Sequence, residues 1–99
     1  ALLRHRDPGV RWRAAYVLGG LGARNAVPAL IALLGDPDAH VRARAAEALG
    51  AIGQPKAKEA LHAHADDHAF AGHLGTVSEV TQAAIEQIEK RNKKSKKKK

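Results

Sequence analysis

Apolar residues along this chain fall into stripes with the period of a helix, and the stripes themselves repeat. Val10, Ala14, Val17, Leu18 and Leu21 lie at i, i+4, i+7, i+8 and i+11, and Val41, Ala45, Ala48, Leu49 and Ile52 restate that face 31 residues later. A second, shorter stripe follows the first: Val27, Leu30, Ile31 and Leu34 at i, i+3, i+4 and i+7, with Lys58, Leu61, His62 and Ala65 at the matching places of the next copy. The pattern predicts a long and a short helix in each unit, arranged as an antiparallel pair. After an irregular stretch at about 66–75, Val77, Val80, Ala84, Ile85 and Ile88 predict a last helix over about 77–90. At the other end Ala1, Leu2 and Leu3 match Ala32, Leu33 and Leu34, so the chain opens in the last turn of a short helix.

Punctuation agrees with the stripes. Asp7 before Pro8, and Asp38 in the next copy, are N-cap residues. Gly22 and Gly53 stand where a helix ends in the left-handed conformation. Gly19 and Gly50 lie inside the last turn, where glycine costs roughly 1 kcal/mol against alanine, so their recurrence predicts close helix packing. Seventeen of the first 36 residues recur unchanged at the 31-residue period. A fixed period of this size predicts an all-α, right-handed solenoid of two and a half to three helical hairpins, each burying its apolar side against its neighbours. The units are a partial one at about 1–6, then 7–35, 36–66 and a capping helix at 77–90.

Charge changes the picture only at the C-terminus. The formal net charge is +7, yet residues 1–89 hold nine bases and ten acids, while residues 90–99 hold eight bases and no acid. Residues 91–99 bury nothing and are expected to lack structure unless a partner holds them. Lys93, Lys94, Lys96, Lys97, Lys98 and Lys99 are candidates for unspecific contact with nucleic acid or an anionic surface. With no cysteine there is neither a disulfide nor a thiolate metal site. No apolar run long enough to span a bilayer and no signal-peptide pattern occurs, so a cytoplasmic location is expected.

The segments DPGVRWRAAYVLGGLG and NAVPALIALLGDPDAHVRARAAEALGAIG resemble the short HEAT-like repeats named after phycobilisome (bilin) lyases, strongly over residues 1 to about 65 and weakly over 77–90. The resemblance implies a ladder of hydrogen bonds between units, carried here by Asp7, Arg11, Asp38 and Arg42. It implies no single function, because the family spans bilin lyases and scaffolds. HEAT-like deoxyhypusine hydroxylases bind iron through His-Glu pairs, and none of the six histidines here is followed by Glu. Bilin lyases work from longer chains, so a lyase-like subunit or fragment is the most that reading allows.

Three groups of residues invite a function. Ala29, Ala32 and Leu33, with Ala60, Ala63 and His64 one period on, are expected on the outer side of the short helices, as a small-residue groove for a protein partner. Trp12 and Tyr16, aligned with Ala43 and Glu47, are expected to face outward as a contact hot spot, the alternative being that Trp12 packs on the preceding unit. In HAHADDHAFAGH (62–73), His64, Asp67 and His68 are weak candidates for a metal, against a polar capping turn. No nucleophile, base and orienting group stand at a recognisable spacing, and no cofactor is implied. The expectation is therefore a non-catalytic protein-binding scaffold. Its alternatives are a nucleic-acid or ribonucleoprotein binder led by the tail, and a bilin-lyase-like subunit. Since roughly three units are needed for a stable stack, the uncovered stripe at the N-terminal end implies either more repeats upstream or a face that docks on something, with marginal stability or self-association of the isolated chain expected.

Overall fold

The computed structural model describes residues 2–97, with side chains placed through residue 92. Ala1, Lys98, Lys99 and the side chains of 93–97 lie outside that description, and with them the polyanion site expected of Lys93, Lys94, Lys96, Lys97, Lys98 and Lys99. The described residues form five α-helices: α1 (Pro8–Leu21), α2 (Val27–Leu33), α3 (Ala39–Ile52), α4 (Ala57–Ala63) and α5 (Val77–Lys97). Three 3-10 turns precede α1, α2 and α5, at Leu2–Arg4, Arg24–Ala26 and Gly72–Leu74.

The caps form as their residue types dictate. The Asp7 carboxylate accepts from the Gly9 N–H (2.8 Å) and the Asp38 carboxylate from Val41 (3.1 Å), while Gly22 (φ 65°) and Gly53 (φ 80°) close α1 and α3 in the left-handed conformation. A capping box starts α5, in which Thr76 Oγ1 accepts from the Glu79 N–H and Glu79 returns a carboxylate to the Thr76 N–H.

The long helices pack side by side in order, α1 on α3 and α3 on α5. Each short helix packs chiefly against the long helix that follows it: the Leu2–Arg4 turn on α1, α2 on α3 and α4 on α5. The packing pair is thus the short helix with its successor. Two glycines set the spacing of the long helices. A Cβ on Gly19 would stand 2.8 Å from Ala48 Cα, and one on Gly50 would stand 2.9 Å from Ala84 Cα. The main core gathers Val27, Leu30, Leu34, Val41, Leu49, Leu61 and Ile88, each no more than 1% exposed.

The helix expected over 77–90 runs on to Lys97. Lysine is a good helix former, and cations at a helix C-terminus oppose its dipole favourably, so residues 91–97 continue the helix where the sequence led us to expect a structureless tail.

Candidate protein-binding surface

The inter-unit ladder exists, but with different acids from those expected. Arg11 donates twice to Asp36 (2.8 and 3.0 Å) and Arg42 twice to Asp67 (2.6 and 3.3 Å). The free guanidinium nitrogen of each arginine donates to two backbone carbonyls, His5 and Arg6 for Arg11, Asp36 and Pro37 for Arg42. Asp7 and Asp38 take no part, because capping engages their carboxylates. A signal for Asp36 and Asp67 was present, since they too recur at 31 residues. The Arg42 hydrogen bond holds the Asp67 carboxyl below the usual carboxylate range. His5 occupies the corresponding place in the first copy, where its Nδ1 accepts from the Asp7 N–H (3.0 Å) as Asp36 accepts from Asp38 (2.9 Å).

With Asp67 engaged by Arg42, the trio His64, Asp67 and His68 does not assemble. Among the described residues no three His, Asp or Glu side chains gather into a group that could hold a metal ion.

Trp12 does not face outward, nor does it pack on a preceding unit. It is half-buried against the following helix, stacked on His40 of α3 with ring centroids 4.7 Å apart. The physical reason lies in its alignment with Ala43, a fully buried position facing the next unit. Arg44 inserts between the expected aromatic pair, its Cζ 4.9 Å from the Trp12 centroid and 5.1 Å from that of Tyr16, while Nη1 donates to Glu47 (2.8 Å). His73 meets His40 edge-on. Burial and the neighbouring Arg44 push the His40 imidazole pKa down. Tyr16 remains 56% exposed.

On the short helices, Ala29, Ala32 and Ala63 are exposed, but Leu33 is buried and Ala60 and His64 are half-buried. The assignment of Leu33 to the outer side is therefore corrected. Helix α2 is only two turns long and touches α3, α4 and the Leu2–Arg4 turn, so little of its circumference is left free.

The apolar surface that is free lies on α1. Val17 is shared by two grooves. One, of about 600 Å³, runs over the N-terminal end and is lined by Leu2, Leu3, Val10, Arg13, Ala14 and Leu18 besides Val17. The other, of about 460 Å³, lies between α1 and α3 and is lined by Tyr16, Leu21, Gly20, Glu47 and Ala51 among others. Four of the five large hydrophobics most exposed in the fold, Leu2, Tyr16, Val17 and Leu21, belong to this surface; Phe70 is the fifth. The sequence did announce the surface, but as a stripe needing a neighbour.

Among known families, that of HEAT repeats matches residues 1–72. Comparison with curated proteins gives no match. No helix of the described residues is long and apolar enough to cross a membrane.

Proposed function

The chain belongs to the HEAT repeat family, and from that premise we propose that it is a non-catalytic scaffold, a right-handed solenoid segment that binds a protein partner through the long-helix surface of α1. HEAT repeats are commonly protein-interaction scaffolds. The observation that carries the reading is the continuity of the two grooves through Val17, which makes one apolar surface out of Leu2, Val17, Leu21 and Tyr16. Contiguous exposed apolar surface is costly in water and marks interaction sites, and an exposed tyrosine beside it supplies an anchor of the kind found in binding hot spots. The exposed positions of the short helices are Pro28, Ala29, Ala32, Glu59, His62 and Ala63, and the large apolar residue expected among them, Leu33, is buried.

Two double substitutions separate these surfaces. Tyr16→Glu with Leu21→Glu, and Ala32→Glu with Ala63→Glu, all alter exposed positions and should leave the circular dichroism spectrum unchanged. In affinity capture the first pair should lose the partner and the second retain it. The reverse outcome would place binding on the short helices.

A further inference from the structure

The ring of His40 lies where three elements meet, and it is enclosed without being satisfied. Trp12 of α1 covers its face with centroids 4.7 Å apart, and His73 of the Gly72–Leu74 turn meets it edge-on at 6.2 Å. Its Nε2 is buried and has no hydrogen-bond partner among the described residues. A neutral ring bears that at modest cost, because a missing bond is cheap beside a buried charge. An imidazolium does not: both nitrogens then carry protons, and the one at Nε2 has nothing to donate to.

The surrounding charges add to this cost. From α1, the Arg13 guanidinium lies 5.3 Å from the Trp12 centroid, and on α3 itself that of Arg44 lies 4.9 Å from it, so two cations already attend the indole on which His40 stacks. The acids nearby are committed, Asp38 to the Val41 N–H and Glu47 to Arg44. Burial first, and then Arg44, depresses the His40 pKa, with His73 acting in the same sense and Asp38 and Glu47 against it.

Only one wall of the enclosure is free to move. Trp12 rides on a helix whose Gly19 meets Ala48 too closely for a Cβ and whose Ala15 is fully buried. His73 sits in a three-residue 3-10 turn that starts at Gly72 (φ 63°) and is followed by Gly75 (φ 92°), two left-handed positions able to act as hinges. Gly72 and His73 are exposed and Leu74 is half-buried. On either side the chain is pinned, since Ala71 and Val77 are buried in one cluster with Ala43 of α3.

We infer that the Gly72–Leu74 turn is a proton-operated flap, which rests on the His40 ring at neutral pH and swings off on its two glycines when that ring is protonated, so that the Nε2 proton reaches water. The departing turn takes with it Leu74, one wall of a groove of about 490 Å³ between α3 and α5 that Glu47, Val80 and Ala83 also line. Acidification thereby reshapes the long-helix face at a junction between repeats. The direction follows from linkage. The uncovered ring binds a proton more tightly than the covered one, so the resting state is fully favoured above about pH 6.5, the ordinary imidazole value, and loses ground as pH falls from there toward the depressed pKa. One imidazole shifts such an equilibrium by at most about thirtyfold at pH 5.

Hydrogen exchange in the full chain, followed by NMR from pH 7 to pH 5 and corrected for intrinsic rates, tests the flap. The Leu74 N–H bonds to the Ala71 carbonyl across the Gly72 hinge, whereas the Val77 N–H bonds to that of Ala69, outside it. Protection of Leu74 should fall several-fold, within the thirtyfold ceiling and in step with the titration of the His40 ring, while Val77 and Leu49 of α3 keep theirs. His40→Phe and His40→Gln, neither of which takes up a proton, should each abolish the fall; two are made so that one that misfolds leaves the other. Leu74 protection that stays level in the parent chain, or that falls at a midpoint away from the His40 titration, overturns the inference. So does a fall that persists in either folded variant. Equal losses at Leu74, Val77 and Leu49 overturn it as well, since the whole fold is then opening and not the turn.

Discussion

Gly19 and Gly20 are neighbours in the same helix with opposite physical roles. Gly19 is buried against Ala48, whereas a Cβ on Gly20 meets nothing within 4 Å. Gly20→Ala should stabilise the chain by about 0.5–1 kcal/mol through helix propensity and a less flexible unfolded state. Gly19→Ala should destabilise it, because forcing apart two backbones outweighs that gain by about 1–2 kcal/mol. Urea unfolding of the two variants checks the difference in sign. The ladder gives a second prediction of this kind. The Arg11 and Asp36 side chains are 14% and 5% exposed, so Asp36→Ala, which removes both carboxylate acceptors of Arg11, should destabilise the chain in the same experiment. His40 adds a pH dependence. Its folded-state pKa lies below its unfolded value, so the unfolded chain binds more protons on acidification. The stability this residue contributes is complete above about pH 6.5 and is lost as pH falls from there toward the folded-state pKa. In His40→Phe, which keeps an aromatic against Trp12, the fall in melting temperature between pH 7 and pH 5 should be shallower than in the parent chain.

At the scale of elements, the helices and their caps were legible in the residues, and their partners were not. Asp7, Asp38, Gly22 and Gly53 act locally, and each does what its type and position predict. The stripe on α1 was read correctly as one face, but a stripe does not say which neighbour covers it. A 31-residue repeat suggests that α2 folds back on α1, whereas α2 packs on α3 and α4 on α5. That shift by one helix goes with the burial of Leu33, while the pairing of α1 with α3 brings Trp12 onto His40. Long-range pairing also explains the two missed acids. Arg11 and Asp36 are 25 residues apart, and nothing local distinguishes Asp36 from the capping Asp38 two places on. The extension of α5 makes a prediction here too. Arg91 donates to the Ile52 carbonyl (3.0 Å) at the C-terminus of α3. Truncation after Asn92 should therefore leave the melting temperature unchanged, while Arg91→Ala should cost about 1 kcal/mol.

At the scale of the molecule, the two ends are unlike. The exposed side of α5 carries Glu79, Gln82, Glu86 and Glu89, a polar face that water satisfies. The N-terminal end shows Leu2 and Val17 exposed along a groove that Arg13 also lines. Among the described residues exposed apolar side chains gather on and beside α1, whereas the exposed side of α5 is polar, so association at α1 buries the more apolar area. The basic excess lies elsewhere again. Removing residues 93–99 takes six lysines from a net charge of +7 and leaves about +1, so affinity for heparin or RNA at low salt should disappear with that segment, as a fluorescence anisotropy titration would show. The account's central claim, that protein partners meet the α1 surface, is tested most directly by photo-crosslinking. A photoreactive phenylalanine is placed singly at Leu21, Val17, Ala32 or Ala63, and adduct yields are compared among chains of equal helicity. Adducts should form from positions 21 and 17 and be absent from 32 and 63; adducts confined to 32 and 63 would contradict the claim.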